Sequence, residues 1–184
     1  MVTILALLAS LVTPAADLPC TYLSKSQQEL HQVQACASLE NGQPVLNSAV
    51  FADLLFDEKE GGLAQIHVNK AWHWVRPDGH MQAVLTFDNG ADPFSDGLTR
   101  GPGTQGVAYF DRNLQRVLDL PYAWGMPFQD GHALVCVDCV ESVSAGEHHE
   151  RVGDTWGVID RAGKAVVAPE LSLQDALSRR DLLP

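Results

Sequence analysis

Short apolar runs separated by turn residues fill the chain from residue 61 onward. The runs are rich in β-branched and aromatic side chains, and Gly, Pro, Asn and Asp stand between them. This pattern is typical of antiparallel strands joined by tight turns. It predicts nine short strands, at residues 63–68, 72–76, 81–87, 97–100, 106–110, 116–120, 133–137, 156–159 and 165–167.

Residues 24–39 have a different pattern. Leu30, Val33 and Cys36 recur at roughly helical spacings, with Gln and Glu between them and serines at the start that are suitable as N-caps. We therefore predict a short helix here. Asn41-Gly42 follows as a turn and ends it.

Two further segments bear on helix content. Residues 45–56 fit either a short helix capped by Asn47 or Ser48 or an apolar strand, and periodicity leaves both open. Residues 172–183 predict an amphipathic helix with Ser172 as its N-cap.

Two turns occupy matching positions in the chain, at residues 111–114 and 160–163. Residues 160–163 begin with Asp and end with Gly, which predicts a type I turn. In the matching stretch 111–114, Leu114 replaces the glycine, so we expect Asn113 to take the left-handed conformation. On that prediction, the substitution Leu114→Gly is neutral or mildly stabilising.

A local pattern recurs along the chain. Pro-Phe-x-Asp-Gly occurs at residues 93–97 and 127–131, about 34 residues apart, and an aromatic and β-branched run ending in Asp-Arg follows each copy. A more degraded copy precedes both, within residues 62–79. Units of this length bury their apolar faces against their neighbours, so about three of them form one domain.

The last copy, residues 156–167, resembles the WG repeat, a bacterial β-hairpin repeat named for its Trp-Gly pair. The resemblance covers about residues 61–170; the middle copy has Gln105-Gly106 and the first has Trp72-His73 in place of Trp-Gly. It implies a mainly β fold of about three antiparallel hairpin repeats with short flanking helices. It also implies export, and it implies no catalytic residues.

Charge and the first residues bear on location. The net charge of −11, without a Lys/Arg cluster, disfavours nucleic acid and anionic membranes as partners.

Residues 2–12 are uncharged and mostly apolar, and small residues follow at 14–16, which predicts a signal peptide. A buried N-terminal helix or strand is the alternative. The run is too short to span a membrane, so we expect a secreted or periplasmic protein without a transmembrane segment after signal removal.

These patterns predict four segments. They are a signal peptide at 1–16, a mostly helical segment at 17–56, a WG-repeat β domain at 57–170 and a short helix at 171–184, with an insertion at 138–153 in the last repeat. Loops on a rigid scaffold often carry function, so the insertion is a candidate functional region.

Four cysteines form an even set in a chain that we expect to be exported. Proximity favours the disulfides Cys20–Cys36 and Cys136–Cys139. The alternative for the second pair is a metal site or a thiol-redox centre that also uses His148 and His149.

The other candidate chemistry is weaker. Asp88 and Asp92 form only a fragment of a calcium loop. Core packing explains the four tryptophans better than a ligand groove does, and the remaining histidines fit a solvated surface; these are Trp72, Trp74, Trp124 and Trp156, and His31, His67, His73, His80 and His132.

The function class follows from these observations. No catalytic constellation or cofactor-binding motif occurs in the sequence. We therefore expect a binding or scaffolding module of the bacterial cell envelope, without enzymatic activity, cofactor or metal, whose partner is a protein or an envelope component.

Overall fold

The computed structural model describes residues 17–143 and 149–183, with no side chains described for residues 142–150. This described part of the chain is mainly β, with several antiparallel sheets and two short α-helices. This confirms the prediction of a mainly β, antiparallel fold with short helices, and each of the nine predicted strands overlaps an observed strand. The expected signal peptide at 1–16 lies outside the described residues. Within the described part of the chain, no helix is long and apolar enough to cross a membrane.

The first sheet has six antiparallel strands in the order β3-β2-β1-β4-β5-β6. One buried face packs against helix α1 around Ile66, Val68 and Val50. The elements are β1 (Leu18–Leu23), β2 (Leu30–Glu40), β3 (Gln43–Leu46), α1 (Ser48–Asp53), a single 3-10 turn (Glu58–Glu60), β4 (Ala64–Val68), β5 (Ala71–Val75) and β6 (Met81–Val84).

The helix predicted over residues 24–39 is wrong, because the chain forms β2 there. Strand β1 pairs with β2 on one side and with β4 on the other. The alternation of half-buried His31 and Val33 with exposed Gln32 has the strand period of two. Residues 17–56 are therefore mostly strand, and they share a sheet with the β domain that was expected to begin at residue 57.

The loop between β1 and β2 is bonded to the end of α1. The Asp53 carboxylate accepts hydrogen bonds from Ser24 Oγ at 2.7 Å, the Ser26 backbone N–H at 3.0 Å and the Tyr22 hydroxyl at 3.2 Å. The bonds from Ser24 and Ser26 lower the pKa of this carboxyl to about 2.

Both helices have side-chain N-caps. Asn47 Oδ1 accepts from the Val50 N–H at 2.8 Å, so the ambiguous segment 45–56 contains a helix, with Asn47 rather than Ser48 as its cap. Helix α2 (Leu173–Arg180) begins after Ser172, whose Oγ accepts from the Asp175 N–H, as predicted.

Two further sheets follow. The second has the order β11-β10-β9, and the third has the order β12-β13-β16-β17, with α2 packed on it. Two short hairpins, β7-β8 and β14-β15, lie between the larger elements, and the second falls within the expected insertion. The strands are β7 (Thr86–Phe87), β8 (Gly90–Ala91), β9 (Thr99–Pro102), β10 (Val107–Phe110), β11 (Arg116–Asp119), β12 (Trp124–Gly125), β13 (His132–Cys136), β14 (Val140–Val143), β15 (His149–Val152), β16 (Trp156–Asp160) and β17 (Ala165–Leu171).

Three antiparallel meanders thus succeed one another: β4-β5-β6, β9-β10-β11 and β13-β16-β17. The second and third close their last two strands with similar turns. Asp111 Oδ1 accepts from the backbone N–H groups two and four residues later, and Asp160 Oδ1 does the same. The left-handed residue is Gly163 (φ 77°) in one turn and Leu114 (φ 58°) in the other.

The prediction that Asn113 takes the left-handed conformation is therefore wrong. Leu114 takes this conformation instead, because its side chain is 2% exposed and packs in a buried cluster with Leu63 and Trp74. Trp74 lies on β5 of the first meander, and Leu63 directly precedes β4. Burial of a leucine is worth about 1.5–3 kcal/mol and offsets the cost of the backbone conformation.

Consecutive meanders contact each other in two places, which we call the first joint (first and second meanders) and the second joint (second and third meanders). At the first joint, Trp74 Nε1 donates to the Asp92 carbonyl at 2.9 Å, and the Trp74 ring lies 5.6 Å from the Phe94 ring. At the second joint, the Tyr109 hydroxyl donates to the Met126 carbonyl at 2.8 Å, and the Tyr109 ring lies 4.9 Å from that of Phe128. Both phenylalanines belong to the Pro-Phe-x-Asp-Gly copies.

A buried ion pair lies between the two joints. Arg100 is 5% exposed and Asp92 is 1% exposed. The guanidinium donates to both Asp92 carboxylate oxygens, and Nη1 donates to the Gly125 carbonyl at 2.9 Å. The Asp92 carboxylate also accepts from the Arg100 backbone N–H at 2.8 Å. This pair connects the start of the second meander to the approach of the third.

Candidate functional site

The four cysteines form two disulfides, Cys20–Cys36 between β1 and β2 and Cys136–Cys139 at the end of β13. This is the pairing that the sequence favoured. Both side chains of the second pair are buried, and a Cβ added at Gly153 would lie 2.8 Å from each of the two sulfurs. The backbone after β15 therefore covers this disulfide.

The candidate metal ligands are not assembled in the described residues. The sulfurs of Cys136 and Cys139 are bonded to each other, His148 lies outside the described residues, and only the backbone of His149 is described. Within residues 17–143 and 149–183, no group of three or more His, Cys, Asp and Glu side chains is placed to hold a metal ion.

The calcium fragment is also separated in space. Asp88 is exposed at the tip of the β7-β8 hairpin, whereas Asp92 is buried in the ion pair with Arg100. The two carboxylates therefore have different environments. That of Asp92 already accepts hydrogen bonds from the Thr99 hydroxyl and from the backbone and side chain of Arg100.

One histidine departs from the surface position that we expected. His73 on β5 is only 5% exposed, and its Nδ1 lies 3.1 Å from the Ala71 carbonyl oxygen. Burial lowers the pKa of His73, so the ring is neutral. With Nδ1 as the donor to Ala71, Nε2 is the acceptor of the neutral ring.

The tryptophans divide into two kinds. Trp74 and Trp156 are buried in the core, as expected. Trp124 is half-buried, and its ring lies 5.2 Å from the Arg100 guanidinium and 4.6 Å from that of Arg151. Trp72 is half-buried and lines an open groove, so core packing does not fully account for it.

Trp72 and His73 are neighbours on β5 and therefore point to opposite faces of the first sheet. His73 lines a cleft of about 730 Å³, and Trp72 lines a groove of about 620 Å³. We call them the edge cleft and the aromatic groove. They are the two concave surfaces that we consider as candidate binding sites.

The edge cleft lies between the two outer strands of the first sheet. Strands β3 and β6 stand at opposite ends of the strand order, yet both line the same cleft. The sheet therefore curls until its two edges face each other across the gap. Phe51 and His73 also line the cleft. None of the described lining residues is Asp, Glu, Lys or Arg.

The aromatic groove lies between the other face of the sheet and the β7-β8 hairpin. Its floor contains Thr21, Leu30, His67 and Trp72, and its wall contains residues 86 and 88–90. The ring of His67 contacts that of Trp72 edge-on, with centroids 5.3 Å apart. Leu30 at the rim is 69% exposed.

Sequence reasoning missed both surfaces for one reason. Each includes residues from 17–56, where we expected helix, and each brings together strands that are far apart in the chain. The only local signal was the pair Trp72-His73, in which a large aromatic and a histidine alternate faces on a predicted strand.

Comparison with known proteins adds no relative. No family model, no curated protein and no solved structure matches this chain.

Proposed function

We propose that this chain is an exported binding module of the bacterial cell envelope, that its three meanders are units of the WG-repeat type, and that its partner is a protein. Export is supported by the two disulfides, because such bonds form and persist mainly outside the cytoplasm. The apolar run at residues 2–12 supports the same location.

The edge cleft is the observation that supports a protein as the partner. An outer strand presents backbone N–H and C=O groups that can pair with another strand. Here two such edges, on β3 and β6, face one cleft. A cleft of this kind suits an extended peptide that adds a strand to the sheet.

The two edges are not equivalent. Pro44 lies in the middle of β3 and has no N–H to donate. The far end of β6 is occupied, because the Leu85 N–H donates to the Arg100 carbonyl at 2.9 Å. The Ala83 carbonyl is also occupied, because it accepts a hydrogen bond from Gln82 Nε2 at 2.9 Å. We therefore expect the partner to pair with the start of β6, at Met81.

The chemistry of the lining describes the partner segment. Gln43, Gln82 and His80 provide neutral polar groups, and Val45, Phe51 and Met81 provide apolar surface. An extended segment with few charges and at least one apolar side chain matches this lining. A strongly charged segment would lose hydration without gaining an ion partner.

The alternative function, metal binding or thiol redox at Cys136 and Cys139, has less support. A reactive cysteine pair needs an accessible sulfur and a thiolate-stabilising environment. Both of these sulfurs are bonded to each other and covered by the backbone at Gly153.

Site-specific photo-crosslinking tests the partner. A photoreactive amino acid replaces Gln82 in the exported protein, and the matched control replaces Val166, which is 41% exposed on β17, an outer strand of the third sheet. We expect a discrete protein adduct at position 82 and none at 166. The crosslinked segment, made as a synthetic peptide, should then compete for the adduct. Absence of an adduct at 82, or equal adducts at both positions, would refute the edge cleft as the partner site.

Export is tested separately by mass spectrometry. Protein from an exporting host should begin near Asp17 and contain no free thiol after denaturation. Soluble protein that retains residues 1–16 would contradict export. Two free thiols at Cys136 and Cys139 together with bound zinc would favour the metal alternative.

A further inference from the structure

The aromatic groove is independent of the edge cleft, because it lies on the other face of the first sheet. Its volume of about 620 Å³ falls within the range of about 300–1,000 Å³ typical of small-ligand sites. It is open along one side, between the sheet and the β7-β8 hairpin. An elongated ligand therefore fits it better than a compact, enclosed one.

Trp72 provides an aromatic platform in the groove floor. One side of the residue packs against the buried cluster that includes Trp74 and Val84, and the indole remains half-buried. The edge contact with His67 at 5.3 Å further restricts its orientation. A fixed, partly open indole is suited to stack on an apolar face of a ligand.

Hydrogen-bonding groups surround this platform. Asp88 and Asn89 form the tip of the hairpin wall, and both side chains are exposed. Thr21 and Thr86 add hydroxyl groups. The Gln65 side-chain oxygen accepts from the Ala91 N–H at 3.2 Å, which leaves its amide N–H groups for a ligand.

The charge of the groove excludes one ligand class. Asp88 is acidic, no Lys or Arg is among the described lining residues, and the whole chain has a net charge of −11. Phosphate, sulfate or carboxylate groups would be repelled here. A ligand that combines an apolar face with several neutral hydroxyl or amide groups matches Trp72 and the polar side chains around it.

Sugars have this combination, because each pyranose ring carries axial C–H groups on its faces and hydroxyl groups around its edge. We propose that the aromatic groove binds a short neutral oligosaccharide, with one ring stacked on Trp72 and its hydroxyl groups bonded to Asp88 and Asn89. This proposal does not depend on a protein partner in the edge cleft.

The test is a titration of the full exported protein with three neutral tetrasaccharides: chitotetraose, cellotetraose and maltotetraose. Tetragalacturonate is the anionic comparison. Isothermal titration calorimetry measures affinity. We expect at least one neutral tetrasaccharide to bind with a dissociation constant of about 1 mM or tighter, and tetragalacturonate to bind at least about tenfold more weakly.

Variants locate the site. Trp72→Ala should weaken the neutral sugar at least about tenfold, whereas Trp124→Phe, at a half-buried tryptophan outside the groove, should not change its affinity. Asn89→Gly deletes a wall side chain and keeps the left-handed backbone (φ 64°), so it decides the question if Trp72→Ala does not fold. It should weaken binding at least about threefold.

Three results would overturn the proposal. The first is that no neutral tetrasaccharide binds up to about 10 mM. The second is that the anionic sugar binds as tightly as the neutral ones. The third is that the groove variants that fold bind as the wild type does.

Discussion

The two joints between the meanders share a geometry but not their residues. In each joint, an aromatic side chain of the middle strand donates to a backbone carbonyl of the next unit and packs on its phenylalanine. The donor is Trp74 in one joint and Tyr109 in the other. An arginine also lies over the phenylalanine in each: Arg112 is 4.6 Å from the Phe94 ring and Arg161 is 5.7 Å from the Phe128 ring.

The joints differ at the left-handed turn residue. Leu114 reaches into the cluster of Trp74 and Phe94 at the first joint. At the second joint the corresponding residue is Gly163, and a Cβ there would lie 3.1 Å from Leu118 and 3.2 Å from Leu120. Leucines of the preceding unit thus fill the space at one joint, and a leucine of the turn fills it at the other. The joints share a filled space between the units and a backbone carbonyl that accepts a hydrogen bond, and different residues provide these features in the two joints.

The largest expected effect comes from Arg100, which connects the approaches of both joints. Arg100→Met leaves the Asp92 carboxylate buried without its ion partner and removes the donor to the Gly125 carbonyl. Loss of one member of a buried pair costs about 3–5 kcal/mol. We therefore expect urea unfolding to show a decrease of that size in the free energy of unfolding.

Arg116→Met is the matched control for this variant. Arg116 pairs with Asp119 at 2.7 Å, but both groups are on the surface, so we expect no measurable change. Equal stabilities of the two variants would show that the buried pair does not hold the joints together.

The sequence predicted what depends on neighbouring residues. The nine strands follow from local alternation and turn residues, and the Ser172 cap follows from one side chain and one N–H group. Strand β2 was missed because it is stabilised by pairing with β1 and by the Cys20–Cys36 bond, which spacing alone does not distinguish from a helix.

Contacts between units were harder to predict for a related reason. The left-handed conformation of Leu114 depends on a pocket formed by Trp74 and Phe94, which precede it by many residues. The recurrence of Pro-Phe-x-Asp-Gly indicated the position of the phenylalanines, but not that Arg112 lies over one of them. The aromatic groove was missed because β1 and the β7-β8 hairpin form it together with Trp72.

The second prediction concerns Leu114→Gly, which removes the turn leucine and makes the first joint resemble the second. Turn chemistry alone predicts a neutral or stabilising change. Burial reverses the sign, because removing a buried leucine side chain costs about 2–5 kcal/mol and relief of the left-handed conformation returns only about 1. We expect a net loss of about 2 kcal/mol in urea unfolding.

Asn113→Gly provides the control in the same turn. Asn113 is exposed, so the change should be within about 0.5 kcal/mol. If Leu114→Gly were as stable as the wild type, the first joint would not depend on the turn leucine, and the comparison of the two joints would fail at this point.

The smallest expected effect is that of Tyr109→Phe at the second joint. This substitution removes the hydrogen bond to the Met126 carbonyl and keeps the ring contact with Phe128. We expect the free energy of unfolding to fall by about 1 kcal/mol at neutral pH. No loss would mean that the constant feature of the joints is ring packing rather than the carbonyl acceptor.

Alkaline pH gives a second measurement on the same pair of proteins. Burial raises the pKa of Tyr109 above its ordinary value of 10.0, so the phenol stays protonated in the folded chain while it ionises in the unfolded chain. Around and above pH 10 the folded state therefore binds more protons than the unfolded state. The free energy of unfolding of the wild type then falls relative to that of the phenylalanine variant. The stability advantage of the wild type should shrink by about 0.8 kcal/mol between about pH 8 and about pH 10.5. A constant difference across this range would show that the phenol is open to solvent and that the second joint is not closed around it.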